Sequence, residues 1–151
     1  MTSQALKIGE LAAQTGSTVE TIRYYEQQDL LPPPARSAAN YRLYGELHVK
    51  RLQFIRHCRS LDMTLDEIRT LLALRDRPEA DCGGVNKVLD HHIEHVAHRI
   101  AELQGLQAQL QELRSRCQAV QSTDACGILH ELENAEAAEP RNLGTHAGGC
   151  H

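Results

Sequence analysis

Residues 7–44 read KIGELAAQTGSTVETIRYYEQQDLLPPPARSAANYRLY, and the turn residues in this stretch decide the fold. Glu10 to Gln14 can make one or two helical turns, which Thr15-Gly16 ends. Ser17-Thr18-Val19-Glu20 is a capping-box pattern, with Ser17 as N-cap and Glu20 at the third helical position. A second helix follows to about Gln28, and helix, glycine-containing turn, helix is the spacing of a helix-turn-helix. Pro32, Pro33 and Pro34 stop that helix, because proline has no amide donor and restricts the residue before it. Arg36 to Tyr44 alternates in character near its end and contains a Ser-Ala-Ala-Asn turn, which reads as a small β-hairpin, or wing. On the other side, Leu6-Lys7-Ile8 reads as a very short strand or the lead-in to the first helix.

Further along, Val49, Leu52, Ile55 and Cys58 recur at helical spacing between Glu46 and Arg59. Thr64 to Glu67 is a second capping box, and Leu65, Ile68, Leu71 and Leu72 form the apolar face of the helix behind it. Pro78 closes this unit, taken as a domain over 6–76 with a linker over 77–83. From Gly84 to Cys117, Leu89, Ile93, Val96, Ile100 and Leu103 step by four and three, and Leu106, Leu110, Leu113 and Cys117 continue after one phase break. A helix over 84–118 is about 50 Å long at about 1.5 Å per residue, too long for one small domain to cover. The periodicity therefore predicts a partner copy packed as a parallel or antiparallel coiled coil. Residues 117–134 read as a loop and a short helix beginning at Cys126, and 135–151 are expected to be disordered. The fold class expected is mainly α, a winged helix-turn-helix domain followed by a long dimerisation helix.

Composition agrees. The chain has 151 residues, 41% hydrophobic but only 3% aromatic, so its core is aliphatic and an all-β sandwich is disfavoured. No run approaches the roughly 20 apolar residues of a membrane span, and MTSQALKIGE lacks the blocks of a signal peptide. A cytoplasmic protein is expected, in which five cysteines favour metal or thiol chemistry over disulfides. The formal net charge of −4 divides unevenly, +2 over residues 1–75 and −6 over 76–151, and seven of the nine histidines lie in the second part. The first part can face phosphates, while the second is rich in metal-ligand types. No nucleophile–base pairing, phosphate-cradling glycine loop or catalytic zinc motif points to an enzyme.

On the second helix Val19 and Ile22 face the core, Glu20, Tyr24 and Gln27 lie opposite, and Thr21 and Arg23 flank that face. Arginine and tyrosine there can donate to phosphates, and arginine can read a guanine edge. The candidate DNA-contacting residues are Thr21, Arg23 and Tyr24, with Arg36, Asn40, Tyr41 and Arg42 from the wing. ETIRYYE followed by LL-P and YRLY resembles the DNA-binding domain of the MerR family of transcription regulators, and the likeness extends through RLQFIRHCRSLDMTLDEIRTLL and the long helix, over roughly residues 6–134. The resemblance implies a homodimer joined by antiparallel long helices and bound to a pseudo-palindromic operator. Effector binding in such a dimer distorts the DNA so that RNA polymerase engages the promoter.

Within that resemblance the candidate metal ligands are Cys82, Cys117 and Cys126. Helix rise places Cys82 and Cys117 of one chain too far apart to share an ion. An antiparallel dimer pairs Cys117 and Cys126 of one chain with Cys82 of the partner subunit, so metal acts on the subunit interface. Three thiolates suit a soft ion, and their charge favours a divalent one. Copper(I)-type members carry serine at the Cys82 position, and zinc-responsive members use an adjacent Cys-Cys-His where this chain has Cys117, Gln118 and Ala119. HCRSLDMTLDEIR and DCGGVN are similar to the lead- and cadmium-responsive subgroup, so Pb2+ or Cd2+ is expected, with Hg2+ and Zn2+ as alternatives. Cys58 sits at core spacing and reads as structural. His91, His95 and His98, with His92 beside them, read as a solvated or interface face, or as a second, weaker metal site. His130 lies one turn after Cys126 and reads as an accessory contact, and His146, Cys150 and His151 are set aside as tail residues. A thiol-rich metal buffer would need neither wing nor Arg23, and a drug-responsive regulator needs a ligand domain for which only residues 118–151 remain.

Overall fold

The computed structural model describes residues 4–135. Helix α1 (Ile8–Thr15) opens where the Lys7 amide donates to the Glu10 carboxylate at 2.8 Å. Leu6 does not extend into the helix. It exchanges two 2.8 Å backbone hydrogen bonds with Tyr44, an isolated bridge that fastens the start of the chain to the end of the wing. Gly16 ends α1 in the left-handed region at φ +65°. A Cβ there would fall 2.1 Å from Nη1 of Arg56, whose guanidinium donates to the Thr15 carbonyl at 2.7 Å. The left-handed conformation fixes glycine at this turn, and a Cβ would in addition displace the Arg56 guanidinium from Thr15.

Helix α2 (Val19–Gln27) is capped by Thr18, not by Ser17 as expected from the pattern. Thr18 Oγ1 accepts from the Thr21 amide at 3.1 Å, and Thr18 has the extended backbone of an N-cap. Two adjacent hydroxyl residues offered two registers, and the chain takes the later one, in which the side chain meets the third helical amide. Ile22 and Tyr25 face the core, with Val19 partly buried beside them. Asp29 at φ +57° turns the chain, and Leu30 and Leu31 drop into the core before the prolines.

The wing is a two-stranded antiparallel hairpin, β1 (Ala35–Arg36) and β2 (Arg42–Leu43), with Ala35 opposite Leu43 and Arg36 opposite Arg42. Asn40 takes φ +65° in its loop, a conformation asparagine tolerates better than most residues. Helix α3 (Glu46–Ser60) begins with a reciprocal contact in which the Gly45 amide donates to His48 Nδ1 at 3.0 Å. His48 Nε2 therefore carries the ring proton and donates to the Pro32 carbonyl at 3.1 Å. Helix α4 (Leu65–Arg75) is capped by Thr64, whose hydroxyl accepts from the Glu67 amide at 3.1 Å, the N-cap half of the expected capping box.

One aliphatic core holds these elements. Leu11, Ile22, Tyr25, Leu30 and Leu31 meet Val49, Leu52, Ile55 and Cys58 of α3, with Met63, Ile68, Leu71 and Leu72 behind them. Each fully buried Leu or Ile contributes about 1.5–3 kcal/mol relative to exposure. Val85 and Val88, from the first turns of α5 (Gly83–Ser115), pack against the same core.

The chain divides into two compact units at the Val88–Leu89 step. In the second, α5 continues with its apolar stripe uncovered: Ile93 is 63% exposed and Ile100 51%. The helix stops at Ser115, short of the expected 118, because the amides of Arg116 and Cys117 turn to the carbonyls of Leu113 and Arg114, three residues back. A short 3-10 turn (Thr123–Ala125) leads to α6 (Gly127–Asn134). The expectation of a disordered tail lies, beyond Ala135, outside the described residues. No described helix is long and apolar enough to cross a membrane.

Candidate DNA interface and thiolate loop

Helix α2 and the wing present the first group of candidate residues. Arg23 and Tyr24 are exposed on α2. Thr21 is half-buried, and its hydroxyl lies 2.8 Å from that of Thr18, so part of its capacity goes to the helix start. On the wing, Arg36 and Tyr41 are exposed, and Arg36 Nη1 donates to the Asn40 carbonyl at 3.2 Å. Arg42 Nη1 lies 3.6 Å from Glu26 Oε2. Lys7, not among the expected contacts, places its Nζ 5.7 Å from the Tyr41 ring centroid, a cation–π distance.

Glu26 was not singled out by the sequence, yet it joins the two parts of this face. Its side chain is 16% exposed, and one oxygen pairs with Arg42 while the other accepts from the Tyr44 hydroxyl at 2.5 Å. Both partners belong to the end of the wing, so one α2 carboxylate ties the hairpin to the helix. Burial, then the Glu26 hydrogen bond and charge, push the Tyr44 phenol up to about 12, with Arg42 opposing. Folding thus favours the neutral phenol: the contribution is complete below the ordinary value of 10.0 and is lost as pH rises towards 12. Tyr44→Phe is expected to cost about 1.5–3 kcal/mol at neutral pH, the worth of a hydrogen bond to a charged group. The same change should flatten the stability decline above pH 10, and denaturant titrations at a series of pH values check both effects.

Four other arginines of the first unit donate to backbone carbonyls. Arg51 Nε donates to the Leu30 carbonyl at 2.7 Å and pairs with Asp76, Arg69 donates to Gln28 at 3.0 Å, and Arg59 to Met63 at 2.8 Å. With Arg56 on Thr15, they satisfy carbonyls at the ends of α1, α2 and α3. The modest positive balance of residues 1–75 is therefore partly structural.

In the second unit the loop after α5 brings the segments of Cys117 and Cys126 together: a Cβ on Gly127, next to Cys126, would fall 2.8 Å from the carbonyl oxygen of Arg116, next to Cys117. Cys117 is half-buried, and its Sγ is 3.4 Å from the Ala119 carbonyl. Cys126 occupies the N-cap of α6. The Leu129 amide pulls the Cys126 thiol below its ordinary value, helped by the Ile128 amide and a hydrogen bond with Cys117, while desolvation opposes. Amides at a helix start stabilise a thiolate, the form that binds metal. The loop is internally fastened: Gln121 Nε2 donates to Ala125 at 2.9 Å, and His130 Nε2 lies 2.7 Å from the Asp124 carbonyl. His130 thus meets the loop backbone through that nitrogen.

Cys82, in the first unit, is exposed, and its carbonyl accepts from Asn86 at the start of α5. Cys58 is buried among core residues, which raises its thiol, as the structural reading expects. Among the described residues no three His, Cys, Asp or Glu side chains form a metal-holding group, so the histidine face of α5 does not assemble one within the chain. There His92 stacks on His95 at 6.3 Å between ring centroids, and His98 lies 3.2 Å from Glu102. His146, Cys150 and His151 lie outside the described residues.

Residues 6–74 match the family described as MerR HTH family regulatory protein, and residues 49–113 match that described as MerR, DNA binding. Over 111 residues, 74% of this chain and 82% of the relative, the sequence is 52% identical to the HTH-type transcriptional regulator ZntR homolog of Haemophilus influenzae. The chain belongs to the MerR family. Its MerR-type helix-turn-helix and long helix make it a DNA-binding transcriptional regulator and not an enzyme. Among solved MerR-family structures, it is similar to the transcription regulator PbrR691 of Ralstonia metallidurans CH34 in complex with lead(II). There the TM-score is 0.76 and the identity 51%, over 84% of this chain and 98% of that one. It is also similar to MerR of Bacillus megaterium MB1 in complex with mercury(II), with TM-score 0.68 and 35% identity over 85% and 99%.

Proposed function

We propose that this MerR-family regulator senses a soft divalent metal, lead or cadmium, through three cysteines and activates a metal-resistance promoter by distorting operator DNA. The observation that carries the reading is the close approach of the segments that hold Cys117 and Cys126, where a Cβ on Gly127 would fall 2.8 Å from the Arg116 carbonyl oxygen. Two thiols held together suit a soft ion, and Cys82 of the partner subunit supplies the third. The uncovered apolar stripe of α5 is the surface for that partner, joined as an antiparallel homodimer in the cytoplasm. Each site then spans the subunit interface, so ligation bears on the angle between the two DNA-binding heads. Within each head Arg23 and Tyr24 of α2, together with Thr21, Arg36, Asn40, Tyr41 and Arg42, meet the operator, and RNA polymerase reads the outcome. The lead-bound relative at 51% identity favours lead over mercury, whose relative stands at 35%. The ZntR-like relative leaves zinc as the alternative that Gln118 and Ala119 disfavour.

The test is run-off transcription from the cognate promoter with purified protein, titrated with lead, cadmium, mercury and zinc under reducing conditions. Activation selective for lead or cadmium is expected. Activation by mercury or zinc alone keeps the regulator and overturns the ion assignment. No response to any of them, with tight thiolate binding retained, keeps the regulator and overturns metal sensing as its signal.

A further inference from the structure

We infer that Gly127 is a positioning residue for the thiolate pair, present because α6 must start against the backbone of Arg116; this rests on reading Cys117 and Cys126 as ligands. A Cβ at Gly127 would sit 2.8 Å from the Arg116 carbonyl oxygen, 3.6 Å from the Arg116 Cβ and 3.7 Å from its carbonyl carbon. The nearest of these contacts is closer than real Cβ atoms come, and the atom it meets is backbone, not the yielding end of a side chain. Arg116 and Gly127 are the chain neighbours of Cys117 and Cys126. This tight approach of the two segments is therefore one residue from each cysteine.

Neither side is free to retreat. The Arg116 and Cys117 amides are bonded to Leu113 and Arg114 at 3.1 and 3.3 Å, and Arg114 Nη1 donates to the Cys117 carbonyl at 2.7 Å. On the other side the Cys126 amide is bonded to Thr123, and its carbonyl accepts from His130, both at 3.2 Å. Arg116 Nε also lies 3.1 Å from Glu131 Oε2, which draws the next turn of α6 to the same residue. Exposed on both partners, that ion pair is a weak guide, whereas the excluded volume at Gly127 is strict. Conformation does not require the glycine: Gly127 is helical, and Gly16 alone among the described glycines has positive φ. Alanine is the better helix former, so the residue runs against helix propensity and in favour of close approach.

The experiment is Gly127→Ala in the full chain, titrated with Cd2+ and Pb2+ while the thiolate-to-metal charge-transfer absorbance is followed. Metal affinity is expected to fall about tenfold or more, the scale of an overpacked contact. Metal-free operator affinity and far-ultraviolet circular dichroism should stay at the native level, which a general folding defect would not allow. Gly9→Ala is the control, since a Cβ at Gly9 meets nothing within 4 Å and should leave metal affinity unchanged. Native affinity in Gly127→Ala, with affinity lost in Cys117→Ser and Cys126→Ser, overturns the positioning role and leaves the thiolate reading standing. Native affinity in both serine variants overturns the thiolate reading and this inference with it.

Discussion

Cys126→Ser is expected to leave operator binding intact and to abolish the metal response. Serine keeps the size and is itself a favoured residue at the N-cap position that Cys126 occupies. It replaces a soft sulfur donor with a hard, neutral oxygen, a poor ligand for lead or cadmium. Disturbing even an outer partner of a metal site costs about 10–100-fold in affinity, so removing a direct ligand should cost more. The candidate operator residues belong to the first unit and Cys126 to the second, which is why the two functions should separate. Cys117→Ser and Cys82→Ser should behave alike, because the proposed site needs all three sulfurs. Promoter titration beside an operator mobility shift checks this, and full induction retained in any one variant rules out a three-thiolate sensor.

Ile22→Ala should have the largest effect on stability. Ile22 is 0% exposed on α2, between Thr21 and Arg23, and belongs to the core that holds α1, α2 and α3. Truncating such a residue removes its transfer energy and leaves a cavity, for about 2–5 kcal/mol. In a unit of this size about 1 kcal/mol shifts the midpoint by roughly 4–8 °C, so a loss of about 10 °C or more is expected. Val19→Ala, at a partly buried position one turn earlier, should cost clearly less. Thermal melts of the three proteins decide it: equal midpoints for native and Ile22→Ala chains would mean that the helix faces the other way.

Local patterns announced what local chemistry controls. Thr64 caps α4, the prolines follow α2, and apolar spacing placed Leu52, Ile55, Ile68 and Leu72 in the core. The cap of α2 was ambiguous because Ser17 and Thr18 are both competent, and only the backbone geometry chooses Thr18. What the sequence hid is tertiary. Arg56 reaches Thr15 and Arg69 reaches Gln28 across 41 residues each, and Glu26 reaches Tyr44 across 18. No short-range pattern distinguishes such residues from solvated charges. The thiol pair was half legible: its loop length could be counted, but Gly127 looked like an ordinary residue after a cysteine until the Arg116 carbonyl appeared beside it. The proposed pairing with Cys82 of the partner subunit would be a relation between chains, and one chain contributes to it only the uncovered stripe on α5.

The arginines that serve backbone carbonyls bear on how operator affinity responds to salt. Each phosphate that a protein cation neutralises releases condensed counterions, adding about 0.9 to the slope of log affinity against log salt concentration. Residues 1–75 contain ten lysines and arginines. Arg51, Arg56, Arg59 and Arg69 already serve backbone carbonyls, and Arg42 is paired with Glu26. On the proposed reading, ion release then draws on a smaller set, led by Arg23 and Lys7, and operator affinity is expected to fall less steeply with salt than the count of basic residues suggests.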